Sequence, residues 1–332
     1  MMYPLRFEPI FRRYIWGGKK LGTILQKPIG DETCAESWEI VDHGEDQSVV
    51  LYGDLAGKTL GQLVTNHGAD LLGSKAFEQI NSDSVPKQLR GRFPLLLKFL
   101  DASRSLSVQV HPDDEMGATL SPPDLGKTEA WYVMNAEPGA KIYAGLKQGV
   151  DAEQFREAIG SGNTESVLHS FEPKSGECVF IKAGTIHAIG EGLLIAEIQQ
   201  ASDTTFRVFD WNRVDKDGNP RDLHVEESLQ ATNFDLGPVN AVVPKPTEHD
   251  NVTTIVESSK FVMRRWSLDQ PIAIEDDQLH IIAVTRGTIQ IENDPGNTPL
   301  EIGQTALIPA CCKSVAINPE AGTEILDIVL PT

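Results

Sequence analysis

Short segments rich in β-branched and aromatic residues recur along the chain and are separated by glycine, proline and other turn-forming residues. Examples are SVVLYG at 48–53, GECVFIKAG at 176–184, GLLIAEIQ at 192–199 and HIIAVTRGTIQIE at 280–292. Segments of this length and composition are typical of strands. Helical periodicity is confined to a few stretches, which are 59–73, 151–171 and 224–234. The pattern predicts a mainly β protein with a few short helices.

The segment SVQVHPDD at 107–114 places polar and apolar side chains on opposite faces of one predicted strand. Successive side chains of a strand point in opposite directions, so the two valines face a core and Ser107, Gln109 and His111 face the other way. The proline that follows cannot donate to a ladder and ends the strand. Taken alone, this is a half-buried strand with a polar, solvent-facing side. A metal site at Gln109 and His111 requires further ligands from elsewhere in the chain.

A weak internal repeat relates GECVFIKAGTIH at 176–187 to GQTALIPACCKS at 303–314. Both copies begin with glycine, continue as a mostly apolar strand and turn at a small residue. The arrangement resembles a double cupin, with two jelly-roll β-barrels in one chain. Cupins place a metal-binding histidine where the first copy has His187, and the second copy has Ser314 there. The resemblance predicts a catalytic unit at 1–235 and a C-terminal cupin-like unit at 236–332 that binds no metal.

Charge and composition narrow the choice of partners. The chain has 332 residues and a formal net charge of −19, which disfavours binding to nucleic acid or to an anionic membrane. An anionic ligand would therefore need a local group of basic residues. The N-terminal segment has no apolar signal region, and the four cysteines include no CxxC spacing. We expect reduced thiols, a cytoplasmic location, a small-molecule substrate and, as a starting assumption, a monomer.

The remaining metal ligands are sought on neighbouring inward-facing strands of the same predicted barrel. Gln109 and His111 lie on one strand, His187 follows the repeat glycine, and Glu129 opens the apolar segment in GKTEAWYV. Two histidines and a carboxylate with an open position form a catalytic zinc set, and Gln109 adds a neutral oxygen. Such a site suits a Lewis acid that polarises a carbonyl. Each residue alone is commonplace, so the prediction rests on the whole set.

Several long motifs occur in order and resemble type I mannose-6-phosphate isomerases in their short bacterial form. The motifs are YIWGG at 14–18, ESWEI at 36–40, FPLLLKFLDASRSLSVQVHPDD at 93–114, GKTEAWYV at 126–133 and AGTIHAIGEGLLIAEIQQASDTTFRVFDWNR at 183–213. The resemblance covers most of residues 1–230, and the last hundred residues match only as a generic cupin. Because the chain is short, the resemblance implies that the large helical insertion of longer family members is reduced to a small helical region at about 58–90. It implies a zinc-dependent aldose–ketose isomerase that acts through a cis-enediol. The implied zinc ligands are Gln109, His111, Glu129 and His187.

The same resemblance implies roles for cationic side chains. It suggests an essential Arg207, and phosphate contacts by Lys98, Ser107 and Arg213. We expect Arg207 near the enediolate, which leaves Arg213 for the phosphate. One departure from the family pattern is Lys182, which stands where proline is common before the turn to the metal histidine.

Two further residues are candidates for proton transfer. Lys127 lies two residues before Glu129 and shares its face in an extended segment. Glu197 lies in the apolar run LLIAEIQQ, where burial is expected to raise its pKa. The alternatives are a solvated loop lysine and a structural, ion-paired carboxylate. The identity of the base is left open.

Two other function classes are compatible with a cupin. One is a sugar-phosphate-binding protein without catalysis, which would lack part of the set Lys127, Glu197 and Arg207. The other is an iron-dependent dioxygenase, whose sites favour three histidines and a glutamate or two histidines and a carboxylate. Gln109, the lack of a third histidine and the group of phosphate-contact residues argue against this class. The sequence also leaves open the substrate range, the catalysis of ring opening and the role of the C-terminal unit.

Overall fold

The structure is a computed structural model that describes residues 2–214 and 218–331. Its helices are short and lie mostly between strands. They are α1 (Lys20–Thr23), α2 (Leu60–Leu72), α3 (Ser74–Ile80), α4 (Asp114–Thr119), α5 (Ala152–Gly160) and α6 (Val225–Ala231), with 3-10 turns at Thr164–Val167 and Ala310–Cys312. Within the described ranges, no helix is long and apolar enough to cross a lipid bilayer.

Strands account for most of the regular structure, as the sequence pattern predicts. The first half contains β1 (Phe7–Glu8), β2 (Ile10–Arg12), β3 (Glu36–Ile40), β4 (Asp42–His43), β5 (Asp46–Gln47), β6 (Val49–Val50), β7 (Leu95–Ala102), β8 (Val108–Val110), β9 (Glu129–Ala136), β10 (Ile142–Leu146), β11 (Leu168–Phe171), β12 (Cys178–Ile181), β13 (His187–Ile189), β14 (Leu193–Gln200) and β15 (Phe206–Phe209). The second half contains β16 (Lys245–Pro246), β17 (Val252–Glu257), β18 (Val262–Leu268), β19 (Ile272–Ile274), β20 (His280–Arg286), β21 (Thr288–Ile291), β22 (Leu300–Glu301), β23 (Thr305–Ile308), β24 (Val315–Pro319) and β25 (Thr323–Val329).

Each half of the chain is a sandwich of two antiparallel sheets. The first half pairs a six-stranded sheet, in the order β12-β9-β14-β7-β3-β2, with a five-stranded sheet, in the order β11-β10-β13-β8-β15. The second half repeats this with β23-β20-β25-β18-β17-β16 and β22-β21-β24-β19. The equal strand order supports the repeat found in the sequence. Over the described residues, no strand closes either pair of sheets into a barrel, so both units are open sandwiches.

The two six-stranded sheets pack face to face and bury a core between the halves. Leu194 and Ile198 of β14 meet this core from one side, and Ile281 and Ala283 of β20 meet it from the other. The alternate residues of the same strands point into the core of their own sandwich, as strand geometry requires. The molecule is therefore a stack of four sheets with three interfaces between them.

Two local predictions are changed by the structure. The helical pattern at 151–171 holds only as far as Gly160, because Gly162 adopts a left-handed φ of 68° and the chain then enters β11. Residues 236–250 are rich in proline and lack periodicity, which is typical of a linker, but this segment packs against the first half. Val239 and Val242 donate backbone hydrogen bonds to Ala144 and Cys178 of the first half. The division at 235/236 stays a prediction, since β-bridging at Leu5 and Leu307 also joins the two halves.

Candidate active site

One row of polar side chains lies on the inner face of the five-stranded sheet. Gln109 of β8 pairs with His187 of β13 on one side and with Arg207 of β15 on the other. Directly paired residues of neighbouring antiparallel strands project to the same face. The strand register therefore aligns an amide, an imidazole and a guanidinium side by side.

A second row faces it from the six-stranded sheet. Glu197 of β14 pairs with Trp131 of β9 and with Lys98 of β7, and Lys98 pairs with Trp38 of β3. Further along the same face of β14, Ile195 belongs to the apolar core of the sandwich. The inner face is thus apolar at one end and polar at the other, and the polar end forms the site.

Three of the predicted metal ligands converge between these rows. His111, Glu129 and His187 are buried, and each offers one ligand atom within 4.8 Å of the others. Glu129 Oε2 lies 3.5 Å from His111 Nε2, and Glu129 Oε1 lies 3.4 Å from His187 Nε2. The fourth predicted ligand, Gln109, is the strand partner of His187. The prediction that these strands bring the four residues together is supported by this register.

The orientation of both imidazoles is fixed from outside the cluster. His111 Nδ1 lies 3.0 Å from the Thr204 carbonyl oxygen, and His187 Nδ1 lies 2.8 Å from that of Thr185. These contacts make Nδ1 the donor and turn Nε2 of each ring inward. Burial lowers the pKa of His187 to about 3, and burial together with Lys127 lowers that of His111. Both rings are therefore neutral, which is the form that binds a metal.

The donor set fits a divalent cation. Among the described residues, His187 Nε2 is buried and has no hydrogen-bond partner. The Lys127 ammonium contacts Glu129 and lies 2.9 Å from His111 Nε2, so these ligand atoms already converge on one positive charge. Burial, followed by the nearby Glu197 carboxylate, raises the pKa of Glu129 to about 7. A cation in the cluster would offset this cost of burying two carboxylates.

Lys127 is a buried site residue, and the alternative of a solvated loop lysine is wrong. Its side chain is only 5% exposed. Its ammonium lies 3.7 Å from Glu197 Oε1, in addition to its contacts within the ligand cluster. Lys127 therefore lies between the ligand cluster and the carboxylate of the second row.

Glu197 is buried, as the sequence predicts, but the expected direction of its pKa shift is wrong. Burial alone raises the pKa, but the charges of Lys98 and Lys127 outweigh it and hold the pKa below the usual value. Lys98 Nζ lies 3.2 Å from Glu197 Oε1. The carboxylate therefore remains ionised at neutral pH, and a group in that state accepts a proton.

Lys98 is neutralised from two sides. Its ammonium lies 3.2 Å from Glu197 and 3.7 Å from Glu36, a buried residue of β3 that the sequence analysis did not select. Burial would lower the pKa of Lys98, but the two carboxylates raise it above its ordinary value. The alternation of Glu36 and Trp38 in ESWEI is the sequence feature that could have indicated this, since it places both on the inner face.

A cavity of about 570 Å³ opens beside the ligand cluster. Six of the residues selected from the sequence line it, namely Lys98, Ser107, Gln109, Lys127, Glu197 and Arg207. Two further lining residues, Tyr14 and Arg221, were not selected. Tyr14 lies in the YIWGG motif, whereas Arg221 lies in an irregular loop that has no periodic pattern.

Arg213 does not line the same cavity as Lys98 and Ser107, the other two predicted phosphate contacts. It lines a neighbouring cavity of about 580 Å³ together with Ser105. Its guanidinium is paired with Asp210 and donates to the Ser105 carbonyl oxygen at 2.7 Å. Asp210 also binds Arg221, so this carboxylate connects a basic residue of each cavity.

Comparison with known proteins finds a family model and relatives that together cover most of the chain. A family model described as phosphomannose isomerase type I, catalytic domain, matches residues 5–139. The probable mannose-6-phosphate isomerase GmuF of Bacillus subtilis is 32% identical over 312 residues, which cover 93% of this chain and 94% of that protein. The mannose-6-phosphate isomerase of Streptococcus mutans is 34% identical over 316 residues, which cover 95% of each chain.

Solved structures extend the similarity to the whole fold. The mannose 6-phosphate isomerase from Bacillus subtilis superposes with a TM-score of 0.85 at 28% identity, covering 98% of this chain and 99% of that one. A mutant of the phosphomannose isomerase from Salmonella typhimurium gives a TM-score of 0.80 at 14% identity and covers 100% of both chains. The second match supports the fold alone.

Proposed function

Since this chain belongs to the mannose-6-phosphate isomerase family, type I, we propose that it interconverts mannose 6-phosphate and fructose 6-phosphate with one zinc ion per chain. The observation that carries the proposal is the cluster of His111, Glu129 and His187 beside a cavity that also holds Lys127 and Glu197. A cation site thus lies beside a cavity that contains an ionised carboxylate and an ammonium group. These are the groups that an aldose–ketose isomerisation requires.

Gln109, His111, Glu129 and His187 are the residues that would hold the zinc. When bound, zinc supplies a Lewis acid that stabilises negative charge on a sugar oxygen next to the reacting carbon. The neutral state of both imidazoles supports this assignment, because their burial disfavours protonation. The identity of the metal as zinc is part of the proposal.

Proton transfer is assigned to Glu197 with support from Lys127. The reaction moves a proton between C2 and C1 of the open-chain sugar phosphate through a cis-enediol. A base must lie within hydrogen-bond reach of the carbon-bound proton and must be ionised. Glu197 lines the cavity and is held ionised by Lys98 and Lys127. Lys127 also lines the cavity, where its charge stabilises an oxygen that becomes negative as the proton leaves.

Arg207 is proposed to stabilise the enediolate. It lines the cavity and is the strand partner of Gln109, so it lies on the strand next to that of a proposed metal ligand. Its Nη1 donates to the Asp222 carbonyl oxygen at 2.9 Å, and its buried Nε has no partner among the described residues. A fixed guanidinium with unused donor capacity is suited to binding an oxyanion.

The phosphate is proposed to bind at the edge formed by residues 105–107. Ser107 and Lys98 line the substrate cavity, and Arg213 lines the neighbouring one. The loop at 105–107 separates the two cavities, and Asp210 joins Arg213 to Arg221 across it. A dianion at this edge meets basic groups in a chain whose net charge is −19. Lys98 is already paired with Glu197 and Glu36, and Arg213 with Asp210, so the phosphate would share these cations with the carboxylates.

The deciding experiment is a coupled assay of the zinc-loaded protein with mannose 6-phosphate, run beside glucose 6-phosphate. We expect turnover of mannose 6-phosphate. Binding without turnover would favour the sugar-phosphate-binding cupin. Stoichiometric iron together with O₂ consumption would favour the dioxygenase.

We also propose a monomeric protein in the cytoplasm. All four cysteines are free thiols, and Cys34 and Cys178 are buried, which supports a reducing compartment. Size-exclusion chromatography with light scattering tests the monomer, and a mass of two or more chains would contradict it.

A further inference from the structure

The loops that carry the metal-binding side chains are joined behind the site by a hydrogen-bond network that begins at Asp114. One oxygen of its carboxylate accepts hydrogen bonds from Gly126 N and from the Gln200 side-chain amide, both at 2.8 Å. The Gln200 side-chain oxygen accepts from Thr128 N at 3.1 Å, and the Thr128 hydroxyl accepts from Ala183 N at 3.2 Å. Four separate chain segments therefore share one network.

Three of these segments lead directly to metal ligands. Asp114 shortly follows His111, Thr128 immediately precedes Glu129, and Ala183 lies in the turn before His187. The network fixes the spacing of the segments from which the three ligand side chains project. Outer contacts of this kind orient metal ligands and change metal affinity when they are lost.

The segments are in direct backbone contact, which leaves little room for adjustment. A Cβ atom on Gly126 would lie 2.5 Å from Asp114 N, well inside van der Waals contact. Gly184 N donates to the His111 carbonyl oxygen at 2.9 Å. A displacement of Asp114 is therefore transmitted to the neighbouring ligand segments, because close-packed interiors do not absorb it.

The other oxygen of Asp114 is held by the second half of the molecule. Lys260, in the turn between β17 and β18, forms an ion pair with Asp114 Oδ2. The turn is fixed because Ser258 Oγ accepts hydrogen bonds from Lys260 N at 3.2 Å and from Phe261 N at 3.1 Å. Phe261 is fully buried in the core between the halves and packs edge-on against Phe180. Lys260 is therefore presented to Asp114 from a rigid position.

We propose that Asp114 is a positioning residue of the metal site and that Lys260 makes this positioning depend on the C-terminal sandwich. Both side chains line a separate cavity of about 170 Å³, and neither is among the described residues lining the substrate cavity. They act through the ligand segments and do not touch the substrate. The inference rests on the metal site of the proposed function. It means that the C-terminal sandwich contributes to metal binding in the N-terminal sandwich.

The test measures zinc affinity by competition with a chromogenic chelator, alongside kcat and KM. Asp114→Ala removes both the network and the ion pair, and we expect zinc to bind about 10- to 100-fold more weakly. Asp114→Asn keeps an acceptor oxygen for Gly126 and Gln200 but loses the charge that pairs with Lys260. The loss of zinc affinity in Asp114→Asn is expected to be a few-fold, smaller than in Asp114→Ala, because the contacts with Gly126 and Gln200 are kept.

Substitutions of Lys260 isolate the contribution of the second half. Lys260→Met should reproduce the effect of Asp114→Asn, and the double variant should be no weaker than either single variant, because both remove the same ion pair. Lys260→Arg keeps the positive charge at this position and should retain wild-type zinc affinity. The matched control is Lys245→Met, since Lys245 forms an exposed pair with Glu257 at 3.7 Å on the same half of the molecule and should bind zinc normally.

Wild-type zinc affinity in a folded Asp114→Ala variant would overturn the positioning role. If that variant does not fold, Asp114→Asn and Lys260→Met carry the test, with circular dichroism to show that they are folded. Equal zinc affinities in Lys260→Met and Lys245→Met would overturn the role of the C-terminal sandwich. These readouts do not need turnover, so a wild-type protein that binds zinc but does not isomerise mannose 6-phosphate would refute the proposed function and leave this inference standing.

Discussion

The two sandwiches have the same strand order but place different side chains at equivalent positions. Glu129 of β9 pairs with Ile181 of β12 in the first half. His280 of β20 pairs with Ile308 of β23 in the second, and Ile308 corresponds to Ile181 in the sequence repeat. The carboxylate of Glu129, a proposed metal ligand in one half, is therefore matched by an imidazole in the other.

Strands β14 and β25, which hold equivalent places in the two six-stranded sheets, also carry charged residues at equivalent positions. Glu197 lies two residues before the β14 partner of Glu129, and Asp327 lies two residues before the β25 partner of His280. Glu197 pairs in register with Lys98, and Asp327 pairs with Arg264. The second half thus keeps a buried carboxylate beside a cation, in the place where the first half has its proposed base.

The difference lies in where the imidazole nitrogens point. In the second half, His280 uses Nδ1 for Asp327 at 2.7 Å and Nε2 for Asp276 at 3.0 Å. In the first half, His111 and His187 use Nδ1 for backbone carbonyl oxygens and leave Nε2 for the cluster. Similar polar residues therefore build a closed ion network in one sandwich and an open ligand set in the other. In the first half His187 Nε2 has no partner among the described residues, and His111 Nε2 shares the Lys127 ammonium with Glu129, so the ligand atoms face one common space.

The largest expected effect is the loss of activity when the metal is removed, since we expect a metal in the first half only. Removal of the metal by chelation should reduce isomerase activity by more than about a thousandfold, because a Lewis acid contributes several kcal/mol of charge stabilisation. Added zinc should restore the activity. The measurement is turnover of mannose 6-phosphate with metal content determined on the same samples. Full activity in protein shown to be metal-free would refute the mechanism.

The second prediction compares arginines of the two halves. Arg207→Ala should lower kcat by about a hundredfold to a thousandfold with little change in KM, since a contact made as charge develops acts on kcat. Arg213→Ala should mainly raise KM, because the phosphate remains dianionic throughout. Arg264→Ala, in the closed network, should leave kcat unchanged. Steady-state kinetics with zinc content as a control decide this, and an Arg207 variant that loses only affinity would move Arg207 to the phosphate site.

The third prediction concerns the closed network. His280→Ala leaves Asp327 buried without its imidazolium partner, and we expect a loss of about 3–5 kcal/mol of unfolding free energy. Activity per folded molecule should not change. Urea denaturation at neutral pH measures the stability. A variant with unchanged stability but reduced kcat would show that the network belongs to the catalytic machinery.

The fourth prediction is a pH dependence that originates at His280 in the second half. Burial opposes protonation of His280, but Asp327 and Asp276 outweigh it and raise the pKa to about 9. Because unfolding returns the group to an ordinary pKa of about 6.5, its contribution is complete below about pH 6.5 and is lost as pH rises through about 9. The difference is on the order of 3 kcal/mol. Unfolding free energies from pH 6 to 10 should show this decline in the wild type and not in His280→Gln.

The smallest expected effect is the result of restoring the missing histidine. Ser314→His places an imidazole where the repeat has His187, but both nitrogens of His280 are already occupied by carboxylates. We expect one zinc per chain, as in the wild type. Elemental analysis after dialysis measures the ratio. Two zinc ions per chain would show that the closed network opens readily and that the halves differ less than their contacts indicate.

The sequence by itself was sufficient to predict several features of the fold and site. Alternation in SVQVHPDD predicted that Gln109 and His111 share a face, and the structure places both at the inner site. The repeat predicted two related β units, which the matching strand orders support. These features are local, because side-chain direction along a strand follows from its two-residue period and needs no knowledge of its neighbours.

The tertiary structure decided which charges meet. The sequence suggested a raised pKa for Glu197, but the register of β14 against β7 places Lys98 beside it and reverses the direction. The placement of Arg213 in a neighbouring cavity and the contact of Lys260 with Asp114 are likewise absent from any local pattern. Electrostatic interactions depend on distance and burial between segments far apart in sequence, and only the packed sheets fix those two quantities.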